Sequence, residues 1–110
     1  MNYHLSVNEA LARLPELVGQ DIRIEGVLSF DFEDVCVSHF PADERADGYR
    51  SSIWLWVGTG SLGFDREACR RLNGRRVVVE GSLSAATPTM GCGHMGLWPA
   101  ELLVRTLNRV

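Results

Sequence analysis

The chain has 110 residues, 45% of them apolar and 23% charged, with a formal net charge of −3. That profile excludes an intrinsically disordered chain, and the length excludes separate lobes closing over a large cavity, so one globular domain over residues 1–110 is expected. The longest apolar run, residues 53–57, falls far short of the ~20 residues a membrane-spanning helix needs. Ser6 and Glu9 have the spacing of a capping box, and Val7, Leu11 and Leu14 recur at helical intervals, which predicts a short amphipathic helix near the start. Pro15 removes a backbone donor and disfavours helical geometry at Leu14, so that helix should stop there or within a turn. From Asp21 the period becomes two: Ile22, Ile24 and Leu28 alternate with Arg23, Glu25 and Val27, the mark of a half-buried strand, and Gly26 interrupts it as a bend or bulge would.

Residues 34–39 predict a second strand, in which Val35 and Val37 alternate with Cys36 and Ser38, and the polar, acidic stretch 41–50 predicts a loop. The strongest strand signal is residues 51–57, rich in aromatic and β-branched side chains. A glycine-rich turn at 58–63 then leads to a helix capped by Asp65, with Ala68, Cys69 and Leu72 as its apolar positions and Gly74 just past its end. Strand returns over 76–83, residues 85–99 form a Gly/Met/Pro-containing loop, and 101–107 are the last strand.

An internal echo runs through this parse. Residues 17–29 match residues 72–84 at an offset of 55, with six of 13 positions identical, among them Gly19/Gly74 and Gly26/Gly81. Both segments read as a helix end at glycine followed by a strand that must curve at a second glycine, and the two strands should occupy similar positions in a curved sheet. The order strand, strand, strand, helix, strand, strand, with glycine bends in the first and fourth strands, resembles the OB-fold, a five-stranded Greek-key barrel. The resemblance spans residues 17–107. It implies a mainly β chain: an N-terminal helix and lead-in over 1–18, then an OB-like barrel over 19–110 with a helix between its third and fourth strands. Such a likeness constrains fold more than function.

Several constellations bear on chemistry. Gly58, Gly60 and Gly63 match GxGxxG between a strand and a helix, with Glu80 at the end of the next strand. Asp65, however, places a negative charge where a pyrophosphate would sit, and no further βα units follow; a strand-to-helix turn is the better reading. Cys36 with His39 and Cys92 with His94 supply four zinc-ligand types, but in a regular strand Cys36 and His39 point to opposite faces, so no metal and no cofactor are expected. No GxSxG elbow is present, and the acids Asp31, Glu33 and Asp34 read as a solvated turn, so the chain is expected not to be an enzyme.

If Ile53, Leu55 and Val57 fill the barrel, Trp54 and Trp56 face outward on the third strand, where OB-folds often bind ligands. The competing expectation is that the N-terminal helix or the loop 90–98 covers them. That loop, with Gly91, Gly93, Gly96, His94, Met95 and Trp98, either offers contact residues or packs so that Trp98 plugs one end of the barrel. All eleven basic residues are arginine. Six acids lie between positions 31 and 47 against Arg45 alone, whereas five arginines lie between 64 and 80 against three acids. The loops flanking the expected binding face are therefore acidic or free of arginine, which repels a phosphate backbone. The reading is a non-catalytic binding module for a protein partner or a second copy, acting through Trp54, Trp56, His94, Met95 and Trp98. The alternative is single-stranded nucleic acid, with Trp54 and Trp56 stacking bases and Arg23, Arg50 and Arg76 reaching phosphates. Three cysteines, which cannot all pair in one chain, and an N-terminus without a basic and apolar leader predict a cytoplasmic location.

Overall fold

The computed structural model describes residues 4–31, 34–57 and 66–110. In chain order its elements are β1 (Leu5–Ser6), α1 (Val7–Ala12), α2 (Leu14–Leu17), β2 (Asp21–Asp31), β3 (Asp34–Ser38), β4 (Ser52–Trp56), α3 (Arg66–Leu72), β5 (Arg76–Ala85) and β6 (Ala100–Arg109). Single 3-10 turns lie at Ala42–Glu44 and His94–Gly96. The GxGxxG segment, its Asp65 cap, Phe32 and Glu33 fall outside the described residues.

The capping box forms: the Ser6 hydroxyl accepts from the Glu9 amide at 3.1 Å, and the Glu9 carboxylate accepts from the Ser6 amide at 2.9 Å. Those hydrogen bonds hold the Glu9 carboxyl below its usual range. The first helix ends at Ala12, and Pro15 then sits in the first turn of α2, where a missing N–H leaves no intrahelical bond unmade. Two residues of β1 add a parallel pairing to β2 (Leu5↔Ile24, Ser6↔Glu25), which no periodicity announced.

The protein is mainly β, one six-stranded sheet whose bonding closes on itself. β2 pairs with β3, β3 with β4, β4 with β6 in parallel, β6 with β5, and β5 back with β2. Alternation explains the ring interior: Ile22, Ile24, Leu28 and Phe30 of β2, Ile53 and Leu55 of β4, and Val77, Val79 and Leu83 of β5 all point inward. Leu5, Val7, Ala10 and Leu17 from the N-terminal segment and Cys69 from α3 join the same cluster. On β3 the simple alternation fails, since Cys36 and Val37 are both buried: Val37 faces the interior, and Cys36 lies in a separate cluster outside the wall.

The sequence echo is a local two-fold in space. β2 and β5 pair antiparallel with Ile22↔Gly81, Ile24↔Val79 and Gly26↔Val77, so the offset of 55 maps each strand onto the other about the Ile24–Val79 pair. The helix-end glycines obey the same symmetry: Gly19 (φ +84°) donates to the Leu83 carbonyl at 2.8 Å and Gly74 (φ +81°) to the Leu28 carbonyl at 2.7 Å. The second glycines permit close approach of the next strand. A Cβ at Gly26 would meet the Ser38 carbonyl, and one at Gly81 the Leu103 carbonyl. No helix among the described residues is long and apolar enough to cross a membrane.

Candidate binding face

With Ile53 and Leu55 inside, Ser52, Trp54 and Trp56 of β4 lie on the outer wall. The ladders set their neighbours: Ser52 is opposite Ser38 and Trp54 opposite Cys36 on β3, while on β6 Trp54 meets Glu101 and Trp56 meets Leu103. Continued by two residues, the β3–β4 register brings Asp34 level with Trp56. The Cys36 thiol donates to the Asp34 carboxylate at 3.1 Å, which places Asp34 on the same outer face.

Four rings form a chain across this wall. Tyr49 and Trp98 have centroids 4.2 Å apart, Trp98 and Trp54 4.8 Å at 64°, and Trp54 and Trp56 5.9 Å at 69°, the last two edge-to-face. Trp98 arrives from the loop 86–99, which folds over β4 as a lid. Its closing bonds are Cys92 N–H to the Trp98 carbonyl at 3.3 Å and Trp98 N–H to the Cys92 carbonyl at 3.0 Å. The Trp98 indole N–H donates to the Ser52 hydroxyl at 3.1 Å, a fully buried bond. Gly93 (φ +73°, ψ −164°) lies directly against Trp54, since a Cβ there would stand 2.7 Å from the indole. Trp54, Trp98, Cys36 and Cys92 thus make a second apolar cluster between wall and lid. The Trp54 indole N–H has no acceptor among the described residues.

The loop therefore covers one of the two tryptophans expected to face solvent. Trp54 is 7% exposed and Trp56 41%. Trp98 is buried as well, but against the outside of β4 and not as a plug in the ring, because its partners are Ser52, Trp54 and Tyr49. Met95 projects from the lid at 78% exposure, and His94 is half-buried. Tyr49, Leu97 and Leu103, each about half exposed, belong to the same region and were not singled out from sequence. The alternation of Glu101 and Leu103 with Leu102 and Val104 carried that signal for Leu103.

The cysteine and histidine pairs do not converge. His39 is buried away from Cys36: its Nδ1 accepts from the Asn8 amide at 3.1 Å, and its Nε2 lies 3.0 Å from the Glu44 carboxylate. Among the described residues no three His, Cys, Asp or Glu side chains stand together as a metal site would require. Burial pushes the Cys36 thiol up to about 11, with nearby Asp34 adding to it, and burial beside Glu101 does the same to Cys92, also to about 11. Both stay protonated near neutral pH, and a protonated thiol is a poor nucleophile.

Two of the three arginines of the nucleic-acid alternative lie elsewhere. Arg23 and Arg76 sit on β2 and β5, the part of the ring opposite β4. Arg23 is 3.6 Å from Glu80, and Arg76 pairs with Glu25 while lying 4.1 Å over the Phe40 ring. Arg50, beside Tyr49 in sequence, is 3.9 Å from Asp47.

Compared with known proteins, the chain matches no family model and no curated sequence. Among solved structures it is similar to the OBody AM3L09 bound to hen egg-white lysozyme. The match has a TM-score of 0.56 at 14% identity, covering 100% of this chain and 95% of that one. The likeness is one of fold. It agrees with the OB-like resemblance drawn from the order of elements, and the closed bonding of the five long strands is its structural counterpart.

Proposed function

We propose that this chain is a non-catalytic barrel of the OB type that binds another protein through the exposed margin of its aromatic wall. The observation that carries the reading is the pairing of Trp56 and Leu103, adjacent in the β4–β6 ladder and 41% and 53% exposed, next to a lid that adds Met95 and Leu97. Aromatic and methionine side chains grouped on a rigid wall are the composition of interface anchors, and an exposed apolar group of this size is unfavourable in water until covered. The protonated thiols of Cys36 and Cys92 supply no nucleophile, which supports the non-catalytic half of the reading. The structural neighbour is itself bound to a protein, a precedent for this fold in that role.

Affinity capture from native lysate of the source cells, with and without nuclease, tests the proposal. One stoichiometric protein should survive nuclease treatment and be lost with the double variant Trp56→Ser/Leu103→Ser. A catch that disappears with nuclease would favour single-stranded nucleic acid instead.

A further inference from the structure

Surface charge is matched very differently on the two sides of the ring. At the β2–β5 seam each carboxylate has a cation: Glu25 has Arg76, with His4 at hydrogen-bond distance, Asp21 has Arg105 at 2.6 Å, and Glu80 has Arg23 and Arg105 at 3.6 and 3.5 Å. On the opposite wall Glu101 is paired with Trp54, and Asp34 lies two residues beyond the Cys36↔Trp54 pair that ends the β3–β4 register, which continued would bring it level with Trp56. Among the described residues neither has a cation within 4.0 Å; Asp34 accepts from the Cys36 thiol, and Glu101 interacts with Cys92. Trp56, 41% exposed, stands on the same outer face, two residues along β4 from Trp54 and paired with Leu103. Beside it on β4, Trp54 is 7% exposed, and its enclosed indole N–H has no acceptor among the described residues.

An indole face beside carboxylates that have no cation among the described residues is a receptor for a cation on an apolar stem. We propose that the protein bound at this wall is a basic one, and that it places an arginine or lysine side chain on Trp56 beside Asp34 and Glu101, with the stem against Leu103. The inference rests on the protein-binding reading and names the partner's chemistry. The two carboxylates give the ion pairing and the ring gives the stacking. The same carboxylates repel a phosphate backbone. A second copy is a poorer occupant. The Arg23 and Arg76 side chains of the opposite wall already have carboxylates, as does Arg105 of β6, and wall-to-opposite-wall contacts between copies run head-to-tail without closing.

The test uses the full chain, nitrogen-15 labelled, with three eight-residue probes: an Arg-Gly repeat, a Glu-Gly repeat and a neutral Leu-Ser repeat. The Trp56 indole N–H resonance is identified by its loss in Trp56→Phe. The Arg-Gly peptide should shift that resonance, the Glu-Gly peptide should not, and Asp34→Asn/Glu101→Gln should weaken the Arg-Gly peptide at least tenfold with the melting temperature unchanged. Equal binding by that variant, or shifts confined to other surfaces, overturns the proposal. If only the Leu-Ser peptide shifts Trp56, the protein-binding reading stands and the basic partner falls. If lysate capture survives Trp56→Ser/Leu103→Ser, the reading beneath it falls. Concentration-dependent sedimentation that Asp34→Asn/Glu101→Gln abolishes would make the partner a second copy and overturn the choice of a separate protein.

Discussion

Replacing Gly93 by alanine tests the lid. Gly93 has φ +73° and ψ −164°, a backbone region that residues with a Cβ rarely enter, at about 1–3 kcal/mol. The added carbon would also stand 2.7 Å from the Trp54 indole, so the ring or the lid must move. Together these terms amount to about 2–4 kcal/mol if the lid stays closed. The lid is held by two backbone bonds between Cys92 and Trp98 and the Trp98–Ser52 bond, each worth about 1 kcal/mol net, plus burial of the Trp98 ring. Those opposing quantities are comparable, so Gly93→Ala should lift the lid while the ring stays folded. Tryptophan emission shifts to the red and acrylamide quenching rises, read most cleanly in a Trp56→Phe background that removes the indole already exposed. The melting temperature should fall by about 8–30 °C, at about 4–8 °C per kcal/mol for a domain near this size. Gly19→Ala is the control: φ is +84°, but a Cβ there meets nothing within 4 Å, so it should cost about 1 kcal/mol and leave emission unchanged. If Gly93→Ala melts within a few degrees of Gly19→Ala with unaltered emission, the lid does not sit on Trp54.

Two further outcomes are expected. Ser52→Ala removes the acceptor of a buried indole N–H and should cost about 1–3 kcal/mol in chemical denaturation, whereas in a Trp98→Phe background the same change should cost much less, giving a clear coupling in the double-mutant cycle. Stability should decline between pH 9 and 11, because the Cys36 thiol titrates near 9.0 unfolded and about 11 folded. The unfolded chain releases its proton first, so the stabilisation is complete below pH 9 and is lost as pH rises. Cys36→Ala should flatten that slope, by about 2 kcal/mol across the window.

The ring wall was legible because strand alternation is a local signal. Ile22, Ile24, Ile53, Leu55, Val77 and Val79 declare their common face through period two alone, and Gly26 and Gly81 declare the bends. The capping box at Ser6 is equally local. Period says which face a residue is on but not what lies over that face. Trp54 was therefore placed correctly outside the ring and yet is covered, by a lid whose Gly93 and Trp98 lie about 40 positions downstream. The same long-range packing buries Cys36 opposite Val37 and turns Trp98 onto Ser52 instead of into the ring. Two residues of β1 are too few to carry any period, so that pairing had no sequence signal.

The symmetry of the β2–β5 seam also bears on how the chain assembles. Because the two seam strands share their glycine bend and their alternation, the backbone register that joins β2 to β5 is geometrically compatible with β2 meeting β2, or β5 meeting β5, across two molecules. Within one molecule the correct closure is favoured by tethering, which holds the strands at an effective concentration in the millimolar range, and by the Arg23–Glu80 and Arg76–Glu25 pairs across the seam. The echo that gives the ring its even closure thus makes the seam self-complementary. Refolding at low concentration should therefore disfavour exchange of halves between molecules.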